Sequence, residues 1–125
     1  TALMRAALAE ACGVRERVLA LIRCELQSIM GGTGEAMAVL VYEWRSLSQE
    51  GQRQVLALRD IYEDLWLEVL GQAKDAGYIR GDVFITRRFL TGALSWTTTW
   101  FRAEGCLSLD QLAEQALILV LEEKQ

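Results

Sequence analysis

Proline is missing from all 125 positions of the chain. No pyrrolidine ring interrupts a backbone hydrogen-bond ladder anywhere, so long helices are permitted throughout. The breaks must come from other residues, and the ten glycines are the obvious candidates. Apolar residues recur every three to four positions, the period of an amphipathic helix rather than a strand. Periodicity and breakers together predict helices over 2–12, 14–30, 35–45, 49–76, 83–103 and 108–122. Val39 to Tyr42 is β-prone but lies within helical periodicity, so no strand is expected.

The predicted ends carry specific signals. Gly13 stops the first helix and Gly31-Gly32 the second. Thr33 can cap the third, with Glu35 suited to the helix dipole. Gly77 stands where a left-handed residue closes a helix, and Tyr78 supplies the apolar contact of a Schellman stop. Asp82 caps the fifth helix, and Gly105 ends it. Ser108 and Gln111 have the spacing of a capping box for the last. The helix at 49–76 would reach roughly 40 Å, the span of a whole domain. A chain of this length holds one domain, and 1–125 is read as such.

Charge and residue usage exclude several functions. Thirteen basic residues are scattered among seventeen acidic ones, for a net charge of −4. Gripping nucleic acid needs a clustered basic excess, so this segment is not expected to bind DNA by itself. There is no histidine, which removes the commonest general base and the commonest metal ligand. Cys12, Cys24 and Cys106 fit no zinc spacing and read as reduced thiols. The apolar runs Met37–Tyr42 and Ala116–Leu121 are too short to span a bilayer. The opening Thr1-Ala2-Leu3-Met4-Arg5 has no signal-peptide layout and reads as a helix entered from something upstream. Gly31-Gly32-x-Gly34 lacks a preceding strand and a Walker lysine, so it is not read as a phosphate loop. No acid–base pair or nucleophile stands out, so the chain is not expected to be an enzyme, and no cofactor or metal site is expected.

Two groups of residues invite a binding role. The first is Met37, Val41, Trp44, Arg59, Tyr62, Trp66 and Trp100, which could line a cavity between helices. Pockets for small apolar ligands are walled by such groups with a few polar anchors, although aromatic residues at helical spacing also simply fill cores. Arg59 sits on the stripe of Val55, Tyr62 and Trp66. It either pairs internally with Glu43, Glu63 or another carboxylate, snorkels to water, or anchors an acidic ligand group. The second group lies on the last two helices: Phe89, Gly92, Ala93 and Trp96, then Leu112, Ala113, Ala116, Leu117 and Val120. A mid-helix glycine costs ~1 kcal/mol relative to alanine and suggests a close helix approach. Two such helices can pair with their copies into a four-helix bundle, so a homodimer is expected.

Residues 90–115 (LTGALSWTTTWFRAEGCLSLDQLAEQ) resemble the closing helices of the C-terminal domain of TetR-type bacterial transcription regulators. Residues 43–63 (EWRSLSQEGQRQVLALRDIYE) fit that domain's sixth and seventh helices, and residues 3–9 (LMRAALA) the helix after the DNA-binding motif. The pattern is similar to a subgroup regulating steroid and fatty acyl-CoA breakdown, with Ser95 and Phe101 replacing that subgroup's usual Asn and Tyr. The resemblance implies an all-α bundle of five to six helices dimerising through its last two. It implies an effector-sensing domain, with residues 1–12 a remnant of the helix leading from a DNA-binding domain absent here. The implied regulator is cytoplasmic, acts as a repressor, takes a small apolar or acyl-CoA-like effector, and meets operator DNA only through that other domain. A helical lipid or small-molecule carrier, or a purely structural helical dimer, is the alternative.

Overall fold

A computed structural model describes residues 2–30, 44–102 and 105–121. Among these residues there are five α-helices and no strand: α1 (Ala2–Glu10), α2 (Val14–Met30), α3 (Gln49–Asp75), α4 (Val83–Trp100) and α5 (Leu109–Val120). No described helix is long and apolar enough to cross a membrane. The helix expected at 35–45 lies outside the described residues, apart from Trp44 and Arg45. Those two belong to a short 3-10 turn, Trp44–Ser46.

The helix ends follow the capping chemistry of the sequence. The Ser48 hydroxyl accepts from Gly51 N–H at 3.0 Å, and the Asp82 carboxylate from Ile85 N–H at 2.9 Å. At α5 both halves of the capping box form: Gln111 N–H donates to Ser108 Oγ, and Ser108 N–H donates to Gln111 Oε1. Gly77 takes a φ of 88°, and Tyr78 N–H bonds back to the Ala73 carbonyl while Gly77 N–H bonds to that of Lys74. That pair of bonds is the Schellman stop. An L-residue is strained in this region, so Gly77→Ala should lower stability by ~1 kcal/mol in urea titration. An unchanged midpoint would show that the turn relaxes to another conformation.

α4 stops at Trp100, three residues earlier than periodicity suggests. The hydroxyls of Thr97, Thr98 and Thr99 donate to the carbonyls of Leu94, Ser95 and Trp96. Three β-branched residues that also compete for backbone acceptors weaken the last turns, and Phe101 leaves in an extended conformation.

α2 is the hub. It packs against each of the other four described helices, and α3 also packs on α4. Val18, Leu19, Leu21, Ile22, Glu25 and Leu26 are buried along one broad face of it, an arc of about 160°. They meet Met4 and Leu8 of α1, Trp66, Val69, Leu70 and Ala73 of α3, Leu90 and Leu94 of α4, and Leu112, Ala113 and Leu117 of α5 in one core. The stripe expected along all of α3 is buried only from Trp66 onward. Val55 and Tyr62 are half-buried, and Leu58 is exposed.

Candidate functional site

The most unusual chemistry in the interior is a charged cluster where α2, α3 and α4 meet. Arg87 lies on the buried stripe of α4 with Leu90, Leu94 and Thr97. Its guanidinium, only 3% exposed, grips two carboxylates in bidentate fashion. Toward α2 it donates to Glu25 at 2.8 and 3.2 Å. Toward α3 it donates to Glu63 at 2.9 Å through both Nε and Nη2. The same guanidinium stacks on the Trp66 ring at 4.3 Å from the centroid and lies 5.7 Å from that of Tyr62. The Tyr62 hydroxyl donates to Glu25.

The electrostatics explain why this arrangement is tolerated. A buried cation is costly unless paired and hydrogen-bonded, and four N–H bonds to two carboxylates meet that demand. Burial alone would ease proton loss from Arg87, but the two carboxylates outweigh it and hold the proton more firmly than usual. Burial pushes the Tyr62 hydroxyl well above its ordinary value of 10.0, and the adjacent Glu25 charge pushes it further. Tyr62 therefore stays a neutral donor. The buried Trp66 indole nitrogen forms no well-shaped hydrogen bond, making only a weak contact with Tyr62.

Among the described residues singled out as a cavity lining, Tyr62 and Trp66 meet at Arg87, while Trp44, Arg59 and Trp100 are not gathered with them in a described cavity. Met37 and Val41 lie outside the described residues. Trp44 is half-buried in its 3-10 turn, where its carbonyl accepts from Gln52. Trp66 is wholly buried and serves as the floor under Arg87. Arg59 is exposed on the outer side of α3, and Glu63, one partner considered for it, is committed to Arg87. The buried arginine is thus Arg87, whose place four residues after Val83, three before Leu90 and seven before Leu94 is the available signal. Trp100 is half-exposed and stands edge-on to Phe101, with ring centroids 6.4 Å apart. Both line an open hollow of about 220 Å³ with Arg102, Gly105, Cys106 and Leu107. Drug-sized ligands usually occupy ~300 Å³ or more, so this hollow is small for an effector.

The other expected surface divides between the two helices. On α4, Phe89, Gly92, Ala93 and Trp96 all face outward, with Phe89 77% and Trp96 66% exposed. A Cβ added at Gly92 would meet nothing within 4 Å. On α5, by contrast, Leu112, Ala113 and Leu117 are buried within the chain, and Ala116 and Val120 are half-buried against the same core. Ile118 and Leu119 make up the outward apolar face instead, with Leu119 87% exposed. Periodicity identified an apolar stripe on α5 but could not say that α2 already covers it.

The described helices thus make an all-α domain centred on α2, with outward apolar residues on each of the last two. A family model for the tetracyclin repressor-like C-terminal domain matches residues 12–123, and the chain belongs to that family. No curated sequence matches the chain significantly. Among solved structures it is similar to one described as superantigen pfit, with 76% identity and a TM-score of 0.92 over 98% of this chain and 67% of that one. It is also similar to the ketosteroid transcriptional regulator KstR2 of Mycobacterium tuberculosis, with 22% identity, a TM-score of 0.77, and coverage of 98% and 65%. AibR, solved with isovaleryl coenzyme A and operator DNA, gives 22% identity, a TM-score of 0.73, and coverage of 95% and 65%. The chain spans about two thirds of the length of each.

Proposed function

We propose that the chain is the effector-sensing and dimerisation domain of a cytoplasmic transcription repressor. The observation that carries this reading is the outward apolar face of α4 and α5 on a fold of the tetracyclin repressor-like family. Exposed aromatic and aliphatic groups repeated along a helix mark an interaction surface, and a second copy of the chain supplies a self-complementary one. Phe89, Gly92, Ala93, Trp96, Ile118 and Leu119 form its centre. DNA contact belongs to a separate domain, because this segment carries a net negative charge.

The effector in this reading is a small apolar or acyl-CoA-like molecule. Support comes from the description of AibR with isovaleryl coenzyme A and of KstR2 as a ketosteroid regulator. Tyr62 and Trp44 are the described residues of the expected lining that remain half-buried and open to such a ligand. Ligand control then works by population shift, which requires unequal affinity for the two states of the dimer. Native mass spectrometry of the chain with short and long acyl-CoA esters tests this directly. One ester retained per protomer and a raised melting temperature are expected. No retained ester and no thermal shift across the series would remove the acyl-CoA assignment.

A second reading has its own observation, the 76% identity to a protein described as a superantigen. Stimulation of T lymphocytes by the purified chain, measured against the heat-denatured chain, tests it independently of any effector.

A further inference from the structure

The ion cluster contains one guanidinium and two carboxylates, and the two carboxylates are not equivalent. Glu25 has a side chain 9% exposed and is held by both Arg87 and Tyr62. Glu63 has a side chain 36% exposed, and among the described residues Arg87 alone holds it. Arg87 and Glu25 alone are neutral, so Glu63 is the surplus anion. Its departure leaves Arg87 with a bidentate carboxylate and the Trp66 face, and creates no unpaired buried charge.

The packing of α3 changes at the same place. Every fully buried residue of α3 lies at Trp66 or beyond. Upstream, Leu56, Leu58 and Ile61 are exposed, and Val55 is only half-buried. Local opening proceeds where buried apolar contacts are few, so α3 has a weakly held first half and a clamped second half. Tyr62 and Glu63 mark the boundary.

We propose that the Glu63–Arg87 ion pair is a latch, and that its release lets residues 49–61 of α3 open while the Glu25–Arg87 pair keeps α2 and α4 joined. Glu25 is the fixed anchor of the cluster and Glu63 the movable member. Opening here uncovers the interior beside Tyr62 without dismantling the core. The use of the latch for effector entry rests on the sensing role proposed above; the latch itself does not.

Hydrogen exchange read by mass spectrometry tests it on the 125-residue chain without any effector. In the wild type, residues 49–61 should exchange faster than residues 66–75. Glu63→Gln keeps the shape of the side chain but removes its charge. It should speed exchange in 49–61 roughly tenfold and leave α2, α4 and residues 66–75 nearly unchanged. Glu63→Asp should fall between the two. If Glu63→Gln leaves 49–61 unchanged, the pair does not latch that segment. A uniform rise across α2, α3 and α4 also overturns the proposal, because the pair is then a general stabiliser. An effector screen that fails while the exchange pattern holds would remove the sensing role alone.

Discussion

Arg87→Met should cost the fold about 3–5 kcal/mol, the usual consequence of removing one partner from a buried ion pair. The loss comes less from the missing attraction than from stranding Glu25, whose carboxylate would keep only the Tyr62 hydroxyl. The free energy should therefore return when the stranded charges go too. In the triple variant Arg87→Met, Glu25→Met and Glu63→Gln, most of the loss should be recovered, since well-packed apolar groups often match a buried ionic cluster. Equilibrium urea unfolding of the single and triple variants gives both numbers. A loss below 1 kcal/mol for Arg87→Met would mean that water already reaches the cluster and that its burial is overstated.

Trp96→Arg should split the dimer of the proposed regulator domain. Buried aromatic anchors at the centre of an interface commonly account for ~2–4 kcal/mol on truncation, which corresponds to a dissociation constant weakened roughly 30- to 1,000-fold. Two arginines brought face to face across a two-fold axis add repulsion. Analytical ultracentrifugation at micromolar concentration should show dimer for the wild type and monomer for the variant. Because Trp96 is 66% exposed in the single chain, the variant's own melting should change little once dissociation is allowed for. Gly92→Leu is a second probe of the same seam: nothing within the chain opposes a side chain there, so any loss of dimer must come from the partner. A monomeric wild type, or an unchanged mass for Trp96→Arg, would leave the α4 face without this role.

Much of the fold is legible in the sequence because helix ends are local events. Ser48, Gly77, Asp82 and the Ser108–Gln111 pair each act on atoms within five residues, so their spacing is sufficient to place them. The overrun of α4 past Trp100 is also local, and the three consecutive threonines account for it. What periodicity does not reveal is which of two apolar faces a neighbour covers. α4 has Leu90 and Leu94 on one side and Phe89, Ala93 and Trp96 on the other, and only the positions of α2 and α3 distinguish them. The same ambiguity assigned Leu112, Ala113 and Leu117 to the outside of α5, although they are core.

The candidate site was harder to read for a related reason. Arg59 drew notice because it interrupts an apolar stripe, yet that part of the stripe faces solvent. Arg87 interrupts a stripe that is buried, beside Arg88, which is exposed and lies over the Phe84 ring at 4.4 Å. Two adjacent arginines on one helix point about 100° apart, and only one of them can share the inward direction of Leu90 and Leu94. Its carboxylate partners come from helices far away in sequence, so no spacing rule connects them.

The central place of α2 also bears on how the domain is made. One flank of α2 is closed by α5, the last described helix and nearly 80 residues further along the chain. Until residues 109–120 leave the ribosome, part of the core-facing surface of α2 has no cover. Partly made chains of this kind are prone to clump, and they are the natural clients of chaperones that shield exposed hydrophobic stretches. Completion of the core is thus timed by translation, and a stop codon just ahead of α5 would leave that flank of α2 open to water.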